Sequence, residues 1–255
     1  ESVIWHDMDD TNVGFVDYAS FSGSILNLDV SVIDEGDTVQ LSGSFTNVAQ
    51  AHTVTITWGD GELDDVISLI PGDLDFVATH TYADDEDGPT STTNYAVDVS
   101  VTEDRTAAAI NDGTLIVVNN VVPTIDLSAS LLTHDESRTT LYTLILGAIT
   151  DPGDDTVTQI IVFWGDNTSD THTTLGNKTH IYDDDADLVG PVSVTLGDED
   201  GFHAGAGIHA LVVNNVAPTG TLLNGGPVSE GATGVVVVAG QFDPSNTDET
   251  AGFTY

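Results

Sequence analysis

Thr53-Val54-Thr55-Ile56-Thr57-Trp58-Gly59-Asp60-Gly61 decides how this chain reads. β-Branched residues alternate at a period of two, which puts one set of side chains on each face of a strand, and a Trp closes the run where a Gly-Asp turn begins. The motif returns as Trp164-Gly165-Asp166-Asn167, and its surroundings return with it. Each copy is followed by His-x-Tyr and an acidic run, His80-Thr81-Tyr82-Ala83-Asp84-Asp85 and His180-Ile181-Tyr182-Asp183-Asp184-Asp185. Each unit closes on the same phrase, Val117-Val118-Asn119-Asn120-Val121-Val122-Pro123-Thr124 and Val212-Val213-Asn214-Asn215-Val216-Ala217-Pro218-Thr219. A spacing of roughly 95–106 residues is too long for a solenoid and fits an array of small domains.

Further runs alternate in the same way, Tyr95 to Val101 and Val192 to Leu196, bounded by Gly, Asp, Asn and Pro, and helical periodicity is hard to find. The pattern predicts an all-β chain of antiparallel Greek-key sandwiches in a linear array. The first repeat spans 25–122, with an opening strand at Leu28 to Val32, the turn Asp34-Glu35-Gly36 and a strand Thr38 to Phe45. The second spans 123–217, with Asp126 to Ser130, the turn Asp135-Glu136-Ser137 and a strand Leu141 to Leu146. A third start occupies 218–255, with Ser229-Glu230-Gly231 and Val235 to Phe242, and reaches Tyr255 without a Trp-Gly-Asp. Residues 1–24 stand outside the repeat. An incomplete sandwich leaves open strand edges, so either the chain continues or a neighbouring domain of an identical chain supplies strands head to tail. With no initiator Met and no signal peptide, the chain reads as a processed product or a fragment.

Composition narrows the partners. The formal charge is −39, from 42 acidic residues against Arg105, Arg138 and Lys178. Such a surface repels nucleic acid and anionic lipid, and its self-repulsion opposes folding unless cations neutralise it. The acid is mostly Asp, a residue of turns and caps and a short, hard oxygen ligand for calcium. Two readings stay open: a solvated surface of the halophile type, and Ca2+ held in the turns. Without Cys there is neither disulfide nor thiolate metal site, and no run of 18 apolar residues predicts a membrane span.

On Val54 to Gly61, His80 to Asp85, Tyr95 to Thr102, the Val-Asn-Asn-Val-x-Pro-Thr linkers and the Glu35-Gly36 and Glu230-Gly231 openings, the chain resembles the polycystic-kidney-disease (PKD)-like domains found in tandem in large secreted bacterial and archaeal proteins. The likeness covers about residues 25–255; Asn167 and Ser137 depart from it in the second copy. The resemblance implies seven-stranded immunoglobulin-like sandwiches at the cell surface, serving adhesion, spacing or surface-layer structure.

The individual residues divide by role. Trp58 and Trp164 read as core tryptophans between sheets. Asp60 and Asp166 read either as Asx turn residues or as calcium ligands. His80 and His180 share a strand face with Tyr82 and Tyr182, but one His per unit is too few for zinc, which predicts a His bonded to backbone. Calcium ligands are expected in the acidic turns: Asp84, Asp85 and Asp87 in the first repeat, Asp183, Asp184 and Asp185 in the second, and Asp104, Asp198 and Asp200 in the later turns. Glu35, Glu136 and Glu230 lie near the linkers, where calcium stiffens a string of domains. The Asn-Asn pairs either bond across a junction or turn the chain. No Ser sits on a nucleophile elbow, there is no Cys, and the paired carboxylates occur in both repeats, so no enzyme is expected. The competing reading is a carbohydrate- or protein-binding module with Trp5, Phe15 and Tyr18 as its face.

Overall fold

The computed structural model describes residues 22–46, 50–86, 88, 92–129, 131–234 and 236–252. They form two compact units: one of the described residues up to Val121 with Pro152–Asp154, the other of Val122–Asp151 with the chain from Asp155 onward.

In the first unit the alternating runs become strands with one buried face. β1 (Ser22–Leu28), β3 (Thr38–Thr46) and β6 (Asp75–Thr81) form one sheet in the order β1-β3-β6. β2 (Val32–Asp34), β4 (His52–Thr57), β5 (Asp65–Leu69), β7 (Thr92–Glu103) and β8 (Ala109–Asn119) form the other, in the order β2-β8-β7-β4-β5. All pairings are antiparallel except β2 with β8. Val39 and Leu41 from one sheet and Val54, Ile56, Val97 and Val99 from the other meet in a single core, with Trp58 2% exposed within it. Two sheets enclosing one core in this strand order make an immunoglobulin-like sandwich.

The second unit repeats the plan. β9 (Thr124–Ala129), β11 (Tyr142–Thr150) and β14 (Gly176–His180) form the sheet β14-β11-β9. β12 (Gln159–Phe163), β13 (Ser169–His172), β15 (Val192–Gly197) and β16 (Phe202–His209) form β13-β12-β15-β16. β10 (Thr133–Asp135) pairs in parallel with β17 (Val212–Asn214), as β2 does with β8. Its core gathers Leu144, Leu146, Val162, Trp164, Val194 and Leu196.

The third start forms no unit of its own. β18 (Thr219–Asn224) and β19 (Val236–Phe242) pair as a two-stranded ribbon within the second unit. A short helix, α1 (Asn246–Ala251), follows. Ser245 Oγ accepts the Asp248 N–H at its start, acids occupy its first turn, and Gly252 at φ 85° ends it.

The single opening strand expected over Leu28–Val32 is two. β1 stops at Leu28 and β2 starts at Val32 in the opposite sheet. The cause is Asp29, whose Oδ1 accepts the N–H of Val30 at 2.8 Å and of Gln40 at 3.0 Å, closing a bend that releases the chain from one sheet to the other.

Candidate metal centre

Glu136 leaves β10 at the turn towards β11. Only 1% exposed, its carboxylate takes the Val216 N–H on Oε1 at 2.8 Å and the Asp185 N–H on Oε2 at 3.0 Å. The Glu136 N–H in turn donates to Asn214 O at 3.0 Å, extending the parallel β10–β17 pairing by one residue. The first unit has the same device: Glu35, 2% exposed, takes the Val121 N–H at 2.6 Å and donates its N–H to Asn119 O at 2.9 Å. A buried Glu therefore pins each closing phrase to the turn after the parallel strand.

Around Glu136 the acid thickens. One oxygen each from Glu136, Asp184 and Asp185 lie within 4.8 Å of one another, and so do one each from Glu136, Asp243 and Asp248. Asp184 (4% exposed) and Asp243 (1% exposed) each use one oxygen on a turn, Asp184 taking the Ala186 N–H at 3.0 Å and Asp243 the Ser245 N–H at 2.9 Å. The other oxygen of each has no hydrogen bond among the described residues. The nearest guanidinium goes elsewhere: Arg138 donates to the carbonyls of Asp243, Pro244 and Ser245 and to Glu249 at 2.8 Å. Taking a carboxylate out of water costs several kcal/mol in a protein interior unless a counter-charge compensates, and here the carboxylates face one another. Asp248 shows the consequence: partial burial, then the charges of Asp184, Asp243 and Asp185, hold its carboxyl above the usual range. The two groups share Glu136, and with neither thiolate nor imidazole each offers hard oxygen atoms of the kind suited to Ca2+, which takes 6–8 oxygens at about 2.3–2.6 Å.

A second acid group in this unit joins Asp151, Asp155 and Asp198. Asp198 is already engaged, with the N–H groups of Asp200 and Gly201 at 3.0 and 3.1 Å and His203 Nε2 at 2.9 Å on Oδ1, and His203 also 2.8 Å from Oδ2.

The other expected ligands make hydrogen bonds of their own. Asp60 Oδ2 meets His80 Nε2 at 2.5 Å while Oδ1 takes the Glu62 N–H at 3.2 Å. Asp166 Oδ2 meets His180 Nε2 at 2.7 Å, and its Oδ1 takes both the N–H and the hydroxyl of Thr168. Asp84 Oδ1 takes the Glu86 N–H at 3.0 Å, Asp85 is fully buried, and Asp104 Oδ1 takes the Thr53 hydroxyl at 2.9 Å. Asp183 Oδ1 takes the N–H and side-chain amide of Asn246 at 3.2 and 3.1 Å. Asp87 lies outside the described residues, as do Trp5, Phe15 and Tyr18; Glu230 is exposed.

His80 and His180 thus bond carboxylates, not backbone. Each ring lies flat on the Trp of its unit, with centroids 4.7 Å apart and planes at 9° and 7°. Each Tyr two residues on reaches across the sandwich to that Trp: Tyr82 Oη donates to Trp58 O at 2.9 Å and Tyr182 Oη to Trp164 O at 2.7 Å. Burial, then the Asp60 or Asp166 charge, pushes both phenols up, so they stay neutral donors. The Trp indoles donate to Asp65 at 3.0 Å and Asp170 at 2.8 Å. The Asn-Asn pairs divide their work: Asn119 and Asn214 donate to Asp34 and Asp135 at 3.1 and 3.0 Å, while Asn215 donates to Asp248 at 3.1 Å.

Among known proteins, no family profile and no curated protein sequence matches the chain. Among solved structures it is similar to the full ectodomain (Ig1–Ig3) of mouse nectin-like molecule 4, at 16% identity and a TM-score of 0.31, covering 74% of this chain and 63% of that one. The strand order and single core of each unit, not that likeness, define the class: tandem immunoglobulin-like β-sandwiches. Among the described residues no helix is long and apolar enough to cross a membrane.

Proposed function

We propose that this chain is a non-enzymatic, extracellular repeat array of the PKD-like kind, serving as a stalk, spacer or filament subunit whose sandwiches are stiffened by Ca2+. The observation that carries the reading is Glu136, a buried carboxylate that ties the closing phrase of the second sandwich to its acidic turn while gathering Asp184, Asp185, Asp243 and Asp248. A cation there bonds the acidic turn after β14 and the chain leading from β19 into α1 at once, which removes relative freedom between the sandwich and the strand pair that follows it. The two His–Asp pairs support a structural role, since each is stacked on a core Trp and repeated in both units. The test is calcium titration followed by calorimetry and scanning calorimetry. Heat of binding and a rise in melting temperature, both abolished by chelator and by Glu136→Gln, are expected. Melting unchanged at millimolar calcium overturns the metal.

A further inference from the structure

Asn-x-Ser/Thr occurs twice in the chain, at Asn167-Thr168-Ser169 and Asn177-Lys178-Thr179, and both copies fall in the second sandwich. Neither is buried: Asn167, Thr168, Ser169, Asn177 and Thr179 are all exposed. Among the described residues, the amides of Asn167 and Asn177 and the hydroxyls of Ser169 and Thr179 carry no side-chain hydrogen bond, so acceptor and recognition group are both free.

Their places in the fold agree. Ser169 opens β13, the outer strand of one sheet, and Asn177 sits in β14, the outer strand of the other. Asn167 stands on the turn that enters β13. A bulky group at either position points away from the core, and it covers strand edges whose unpaired backbone otherwise invites pairing with another chain. The first sandwich supplies an internal contrast. By alignment on the shared Trp-Gly-Asp and His-x-Tyr words, Gly61 stands where Asn167 does and Val77 where Asn177 does. Gly61 has φ 83° and Asn167 φ 68°, so the second copy puts a side chain at a left-handed position that Gly fills without strain. Asn is the residue that tolerates this best, and it is the one that can carry a sugar.

We infer that Asn167 and Asn177 are N-glycosylation sites, a reading that rests on the extracellular placement proposed above. The donor class is a polyprenyl-phosphate- or pyrophosphate-linked oligosaccharide. The Asn Nδ2 forms a bond to the anomeric carbon while the anomeric C–O bond to the lipid phosphate breaks. The electron pair of that bond leaves with the phosphate oxygen, and one amide proton passes to a base on the transferring enzyme. No oxidant or reductant is needed.

The experiment uses the protein from its native source. Protease treatment of whole cells reports whether it lies outside, and mass spectrometry of its peptides reports Asn167 and Asn177. A sugar series on one or both peptides is expected, lost at Asn167 alone in Ser169→Ala and at Asn177 alone in Thr179→Ala. Both replaced hydroxyls are exposed, so folding persists and each loss reports on the acceptor motif. A protein found outside the cell with both peptides at bare mass overturns the glycosylation and leaves the placement standing. A protein found inside overturns both.

Discussion

Asp166 illustrates how hydrogen bonds set the charge state of an acidic side chain in this chain. Burial alone raises its carboxyl, but hydrogen bonds from Thr168 and His180 outweigh that and hold it below the ordinary value. A depressed folded-state carboxyl contributes stability that is complete above the unfolded value, near 3.8, and is lost as pH falls through the folded value. Asp166→Asn is therefore expected to be less stable than the parent at neutral pH, and the gap between them to close as pH drops below about 4. Asp166→Ala, which also strands His180 and Thr168, is expected to cost about 1.5–3 kcal/mol, as loss of a charged hydrogen-bonding group does. Urea unfolding of the three proteins across the acid range checks both. Much of this was open to reading. The Trp-Gly-Asp words marked Trp58 and Trp164 as core pieces and the His-x-Tyr words put each His on the face of its Tyr, but one-dimensional spacing could not join His80 to Asp60, which lies 20 residues away. The same limit hid Asp243 and Asp248. Their only signal was that Asp243-Pro244 repeats Asp151-Pro152 after the corresponding strand, a weak dipeptide between longer matches.

At the scale of elements, the turn after β4 shows why two glycines separated by one residue differ. Gly59 has φ 89°, and a Cβ there meets the carbonyl oxygen of Ala96 at 2.5 Å, backbone that cannot step aside. Gly61 has φ 83° with nothing within 4 Å of an added Cβ. Gly61→Ala therefore incurs only the left-handed backbone cost, about 1–2 kcal/mol, and Gly61→Asn less, since Asn167 already fills the matching position. Gly59→Ala adds a steric clash with the neighbouring strand and is expected to cost more than Gly61→Ala in chemical denaturation; equal losses would refute the close approach. Strand identity was legible because period-two burial is a local property, visible in β3, β4 and β7. Strand boundaries were not, because the break between β1 and β2 depends on Asp29 reaching Gln40, a contact formed only when β3 returns.

For the whole molecule the question is what offsets a formal charge of −39. A solvated acidic surface and a bound cation make different predictions. Diffuse repulsion among exposed carboxylates is screened by any salt, with a Debye length of about 10 Å at 0.1 M, so sodium chloride should raise the melting temperature of the parent and of Glu136→Gln alike. A site built on Glu136, Asp184, Asp185, Asp243 and Asp248 responds to calcium at concentrations far too low to change screening. A ligand that binds only the folded state adds about 2.7 kcal/mol at 100 times its Kd, and for domains of 150–250 residues each kcal/mol moves melting by about 2–4 °C. Saturating calcium at constant ionic strength is thus expected to raise the melting of the parent by roughly 5–10 °C on these figures and to leave Glu136→Gln unmoved. Magnesium should do less, because its tighter octahedral shell dehydrates reluctantly. If sodium chloride matched at equal ionic strength reproduces the calcium shift, the acid acts as a screened surface and the cation bridge at Glu136 falls.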